Sequence, residues 1–125
     1  MFDNRFSPLM ARYWREHAGY AWPDVDISES DSEYIFSVEI PGTVKDDIKI
    51  WIEDNVLTVT GEKKAKAQEK DQLVFSERAF GKFERMFKLT KSVDRNKVSA
   101  ELVDGILVII VPKSIEARPR EISIK

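Results

Sequence analysis

Cysteine is missing from all 125 residues, which excludes disulfides, thiolate metal sites and cysteine nucleophiles. That suits a reducing compartment, so a cytoplasmic location is the expectation. Histidine occurs once, at His17 in an apolar stretch, with no Ser-His-Asp or Cys-His set around it. A lone histidine there is far more often a packed residue than a catalyst or ligand. Long hydrophobic runs are absent: the longest has six residues, far short of a membrane span. Asp3, Arg5 and Arg12 interrupt the first apolar residues, so no signal-peptide core is expected. Neither sign of charge dominates. Twenty basic and 22 acidic residues leave a net charge of −2, which argues against nucleic acid or an anionic membrane as partner. Lys63, Lys64, Lys66 and Lys70 alternate with Glu62, Glu69 and Asp71 and make no basic patch. No Gly-rich loop ending in Gly-Lys-Ser/Thr is present to hold a nucleotide. Asp24, Asp26, Glu29 and Asp31 fail the EF-hand pattern, because Glu29 stands at its glycine position and Ile35 at its bidentate glutamate. They read as a solvated strand edge and turn. Enzyme chemistry, cofactors and metals are therefore not expected.

What is present is period two. The chain is organised around Asp104-Gly105-Ile106-Leu107-Val108-Ile109-Ile110-Val111-Pro112-Lys113. A short, β-branched run between a turn pair and a proline predicts a strand buried on both faces. Asp-Gly supplies the left-handed backbone of a tight turn, and Pro112 cannot donate to a ladder, so pairing should stop there. The alternating Lys97–Leu102 segment before the turn completes a hairpin. Upstream, 24–28 reads as a weak edge strand, and Tyr34, Phe36, Val38 and Ile40 share one face of the next. Pro41-Gly42 fits a type II turn. Ile48, Ile50 and Ile52 share a face, Asp54-Asn55 turns the chain, and 56–60 runs on into Gly61. Residues 83–89 alternate again. About seven to nine short strands, with no convincing long helix, predict an all-β sandwich of one domain.

Three segments do not fit a closed sandwich. Residues 1–22 form an apolar arm in which Phe2, Phe6, Leu9, Met10, Tyr13 and Trp14 are concentrated. A short helix capped by Ser7, with Pro8 in its first turn, is expected within it. It packs either on its own core or, because so apolar an arm needs a cover, between chains or against clients. Residues 62–72 read as a solvated excursion with helical tendency. At its far end Leu73, Val74, Phe75, Ser76, Glu77 and Arg78 can form a short strand, isolated from its own sheet and available to a neighbour's. Residues 114–125 form an extended, Pro- and charge-bearing tail. Its Ile122 and Ile124 lie two apart on one side, as for strand addition in a groove; the plainer reading is a last strand on the chain's own sheet.

Several stretches in order carry a family resemblance. Ala100 to Lys113 resembles the A-x-x-x-n-G-v-L signature of the small heat-shock proteins. So do Ile40-Pro41-Gly42 with the Lys45-to-Ile48 lead into the next strand, Asn55 to Glu62, and Glu77-Arg78-Ala79-Phe80-Gly81-Lys82-Phe83-Glu84-Arg85 as R-x-F-G-x-F-x-R. Ile122-Ser123-Ile124 matches the I-x-I tail. The resemblance covers roughly residue 23 to the C-terminus, and the order of its pieces makes it specific.

The resemblance implies an α-crystallin domain over 23–113: an immunoglobulin-like sandwich that forms homodimers and higher homo-oligomers. In the bacterial, archaeal and plant type, residues 73–78 would reach into the partner's sheet. The tail would dock by Ile122 and Ile124 between the strands carrying Ile48, Ile50 and Ile52 and carrying Val98 and Ala100. Arg78 and Arg85 are candidates for charge pairs across the dimer, or else solvated strand-face charges. The implied function is an ATP-independent holdase for unfolding proteins, the arm aromatics covering exposed client surface. Two departures stand out: the arm is short for the family, and Thr90 replaces a frequent proline. The alternative is a monomeric co-chaperone-type sandwich that binds one folded partner and needs neither a lent strand nor an I-x-I tail.

Overall fold

The structure, a computed structural model, describes residues 22–65 and 72–125. They form seven strands: β1 (Val25–Glu29), β2 (Glu33–Glu39), β3 (Ile48–Glu53), β4 (Val56–Lys63), β5 (Gly81–Lys88), β6 (Ser99–Val103) and β7 (Ile106–Pro112). One antiparallel sheet has the order β1-β2-β7-β6 and the other β3-β4-β5. The expectation of an all-β, immunoglobulin-like sandwich holds.

Alternation decides which side of each strand meets the other sheet. Tyr34, Phe36 and Val38 of β2 stand opposite Val111, Ile109 and Leu107 of β7, and all six are buried. From the second sheet Leu57, Val59, Phe83 and Phe87 meet them, with Ile40 and Leu89 at the strand ends. The Phe36 and Phe87 rings, one from each sheet, lie 5.3 Å apart centre to centre. A buried side chain of this size contributes roughly 1.5–3 kcal/mol, so this interlayer cluster is the main source of stability. The β7 strand is fully buried on one face only; Val108 and Ile110 on the other are half covered. That face looks away from the second sheet.

The turns follow their chemistry. Asp104 and Gly105 both have positive φ (53° and 78°), as do Asp54 and Asn55 (51° and 61°), the geometry that matches strand twist in two-residue hairpins. Gly105 is held for a second reason: a Cβ there would lie 2.9 Å from the Pro41 Cα. At Pro41-Gly42, Gly42 takes φ 82° and the Thr43 amide donates to the Ile40 carbonyl at 3.2 Å, completing the expected type II turn. Asn55 donates through Nδ2 to the carbonyls of Leu89 and Lys91, tying this hairpin to the exit of β5. Thr90, where the resemblance led one to look for proline, places its hydroxyl 3.4 Å from that of Tyr34, which also accepts from the Lys91 amide.

Several boundaries differ from the sequence reading. Glu62 and Lys63 belong to β4, where they pair with Lys82 and Gly81, not to the solvated excursion. Residues 95–97 form a 3-10 turn capped by the Asp94 carboxylate on the Asn96 amide, so β6 starts at Ser99 rather than Lys97. Trp22, read as part of the arm, packs edge-on against Phe83 with ring centres 5.4 Å apart. The arm residues Phe2, Phe6, Leu9, Met10, Tyr13 and Trp14 lie outside the described residues, as does most of the expected excursion.

Candidate assembly groove

Among the described residues β3 pairs only with β4 and β6 only with β7, so each closes one end of its sheet with no strand on its outer edge. The two edges border a shared groove. Ile48, Ile50 and Ile52 alternate with exposed Lys49, Trp51 and Glu53. Their side chains are half-buried, one flank on the interlayer core and the other on the groove. The question of core or groove, open from sequence, resolves as both.

The groove has two depressions. One, of about 640 Å³, is lined by Ile48, Ile50, Ala100, Leu102 and Leu107, with Lys45, Asp46, Lys49 and Glu101 around it. The other, of about 480 Å³, is lined by Ile50, Trp51, Ile52, Val98 and Ala100, with Arg95, Asn96 and Ser99 at its end. Ile50 and Ala100 belong to both, so the two are continuous. Ala100 faces the groove with a methyl group, leaving an apolar floor between larger walls. All five residues read from sequence as tail acceptors line this groove. Leu102 and Leu107 were not singled out, although Leu102, two residues past Ala100 in β6, shares its side of the strand. Arg95 and Asn96 gave no signal, since their place depends on the 3-10 turn.

Two apolar segments have no cover among the described residues. Residues 72–80 carry no strand; Leu73 and Phe75 are exposed and Val74 is 94 % exposed. The short strand read over 73–78 as one available to a neighbour's sheet has no ladder among the described residues, and a single chain supplies no neighbour to pair it. Past Pro112, Lys113 makes one bridge to Val93, Ile115–Ala117 forms a 3-10 turn, and the Arg118 Nε–H donates to the Lys113 carbonyl. Residues 118–125 have no ladder, so the reading of a final strand on the chain's own sheet does not hold. Ile122 is 84 % and Ile124 98 % exposed.

The charged candidates part company. Arg85 points into the sandwich beside Phe83 and Phe87 and is only 4 % exposed, so it is not a solvated strand-face charge. It donates to the Pro23 carbonyl at 2.6 Å and lies over the Phe87 ring. Arg78 is exposed and stacks on Phe80, which also carries the Lys63 ammonium at 5.6 Å. Lys113, unremarked in the sequence, is buried; it donates to Glu29 Oε2 at 2.7 Å and to the Ser30 carbonyl at 2.6 Å. It thereby clamps the β1–β2 turn onto the end of β7. Asp24, Asp26 and Asp31 are exposed, and Glu29 is the partner of this clamp. Among the described residues no group of three or more His, Cys, Asp or Glu side chains could hold a metal ion, and no helix is long and apolar enough to cross a membrane.

Two stacked antiparallel sheets with an open groove at one side and uncovered apolar segments at the loop and tail define an immunoglobulin-like interaction domain. The chain belongs to the Hsp20/alpha crystallin family, whose model matches residues 26–125. It is 35 % identical to small heat shock protein C4 of Rickettsia felis over 127 residues, covering 99 % of this chain and 78 % of that one. It is 36 % identical to the 18.1 kDa class I heat shock protein of Arabidopsis thaliana over 129 residues, covering 98 % and 80 %. Among solved structures, heat shock protein 16.0 of Schizosaccharomyces pombe superposes with a TM-score of 0.71 at 28 % identity, over 82 % of this chain and 97 % of that one. Membership makes this a chaperone-family protein and not an enzyme.

Proposed function

We propose that this chain is an ATP-independent holdase that works as an assembly of its own copies. The observation that carries this reading is the match between what lies uncovered and what lies open. Ile122 and Ile124 project from a tail with no ladder, and an apolar groove runs between the unpaired edges of β3 and β6. In the proposed assembly the tail of one copy fills the groove of another. Residues 73–78 add as a strand to a second copy, making the homodimer, and β1 offers an open sheet edge for it. The arm residues Phe2, Phe6, Leu9, Met10, Tyr13 and Trp14 are proposed to cover apolar surface on unfolding clients. Burial of a few hundred Å² at roughly 25 cal/mol per Å² gives useful affinity without sequence specificity.

The tail contact is small enough to be reversible, so warming releases tails and opens the assembly. The test heats an aggregation-prone enzyme with and without this protein in the absence of nucleotide, following turbidity while light scattering gives the mass. Suppressed turbidity together with a mass well above one chain supports the reading. A single-chain mass favours the adaptor that binds one folded partner, and unchanged clouding removes the holdase.

A further inference from the structure

The outer face of the β1-β2-β7-β6 sheet is not the polar face that an antiparallel sheet usually turns to water. β7 is apolar on both sides, yet only one side is covered: Val108 and Ile110 are half-buried and Ile106 is 39 % exposed. Residues paired across strands share a face, so the register places Ile35 beside Ile110, and the half-exposed Val103 beside Ile106. The same register sets Asp26 and Ser37 in one row with Val108 and Glu101, and Glu39 in one row with Ile106. Glu33 stands at the far end, opposite Pro112. No lysine or arginine occurs in any of these four strands. None of the four carboxylates has an ion pair among the described residues. An apolar ridge with a border of one charge sign calls for a cover that is apolar and cationic.

We propose that the cover is the chain's own arm, through residues 4–15. These lie outside the described residues, but their sequence supplies both halves of the match. Arg5, Arg12 and Arg15 are interspersed with Phe6, Leu9, Met10, Tyr13 and Trp14, and no carboxylate occurs between Asp3 and Glu16. The root of the arm points the same way. Trp22 rests edge-on against Phe83, the Pro23 carbonyl accepts from Arg85, and the Asp24 carbonyl accepts from the Glu39 amide at 3.0 Å. The arm therefore leaves the body at the Glu39 end of the sheet, where Ile106 and Val103 are the most exposed part of the ridge. At 3.3–3.6 Å per extended residue, the seven steps from Arg15 to Trp22 reach about 23–25 Å. Four strands 4.7–4.9 Å apart measure about 14–15 Å across, so the basic segment can lie over any of them. Arginine suits this border, since its apolar stem covers isoleucine and valine while its head meets a carboxylate. The apolar residues supply most of the binding. The charges choose this face over the outer face of β3-β4-β5, where Lys49, Lys82 and Lys88 stand among the acids. The inference needs neither the holdase reading nor the tail contact.

With no native cysteine to interfere, the contact can be trapped. Full-length chains carrying Ala11→Cys with Ser37→Cys are oxidised mildly and compared with chains carrying Ala11→Cys with Thr60→Cys. Ser37 lies beside Val108 on the proposed face, and Thr60 beside Lys49 on the outer face of the other sheet. The proposal requires a disulfide within the chain at Ser37→Cys, well in excess of that at Thr60→Cys; equal or reversed yields overturn it. Chains carrying one cysteine each are then mixed. A link that forms only between chains assigns the face to a second copy's arm and overturns the proposal. So does an arm that never links while a basic, apolar peptide with one cysteine does, since the face then belongs to clients. At low salt, Asp26→Lys with Glu101→Lys should lower the Ser37→Cys yield about two- to fivefold, and adding Arg12→Glu with Arg15→Glu should restore most of it. A yield that ignores these changes removes the charge match on which the choice of occupant rests.

Discussion

Replacing Ile122 and Ile124 together by alanine should break the assembly without touching the fold. Both side chains are exposed in the single chain, at 84 % and 98 %, so nearly their whole surface is available to leave water on docking. Full burial of an isoleucine side chain is worth about 1.5–3 kcal/mol. The pair therefore offers about 3–6 kcal/mol before ordering costs, which run to about 0.5–1.5 kcal/mol for each immobilised side chain. Taken low with low and high with high, what remains for the contact is about 2–3 kcal/mol, or roughly 30- to 140-fold in affinity at 1.4 kcal/mol per tenfold. A dilution series by light scattering should show the variant falling toward dimers at concentrations where the parent chain stays large. Its urea midpoint should stay put, because exposed positions contribute little to stability. Mass curves that superimpose would refute the reasoning, since the tail's other exposed isoleucine, Ile115, is held in the 3-10 turn next to Lys113.

Three further outcomes follow from named contacts. Val74→Pro, in the uncovered segment over 73–78, removes an amide donor and should abolish strand exchange, leaving single chains by sedimentation at concentrations that hold the parent as dimers. Gly105→Ala should lower unfolding free energy by at least about 1–2 kcal/mol in urea, the backbone cost of a positive φ, with more from the approach to the Pro41 Cα at 2.9 Å. Lys113→Met keeps the buried stem but leaves Glu29 and the Ser30 carbonyl without their donor. It should cost about 1–3 kcal/mol and increase hydrogen exchange in the β1–β2 turn; an unchanged turn would show the clamp to be idle.

The strands were legible because a half-buried strand has to alternate. Tyr34, Phe36, Val38 and Ile40 all fall on the inner face their spacing assigns, whereas β7, read as buried on both faces, is fully buried only along Leu107, Ile109 and Val111. The tight turns at Asp54-Asn55 and Asp104-Gly105 could be read because few residues accept a left-handed backbone. Arg85, Lys63 and Lys113 could not. Charge alone reads as solvent-facing, yet their positions in β5, in β4 and just past β7 place long apolar stems where the core or an aromatic ring receives them. The segment over 73–78 went the other way. Its residues suit a strand, but pairing is a property of two segments, and one chain offers only one of them. Of the groove, the walls followed from alternation in β3 and β6, while the charged ends depended on where 3-10 turns set Asp46 and Arg95.

Neither sheet closes into a barrel, so the body has four lateral margins: β1 and β6 on one layer, β3 and β5 on the other. Bare margins are templates for stacking copies without limit, the route to fibres. Charges at Asp26, Lys49, Glu101 and Glu84 punctuate these margins, but on β3 they alternate with three isoleucines. In the proposed assembly a docked tail has a second consequence: it would cap the most adhesive margin. Chains shortened before Ile122 should gel or form thioflavin-positive fibrils on prolonged warming, where intact chains stay clear.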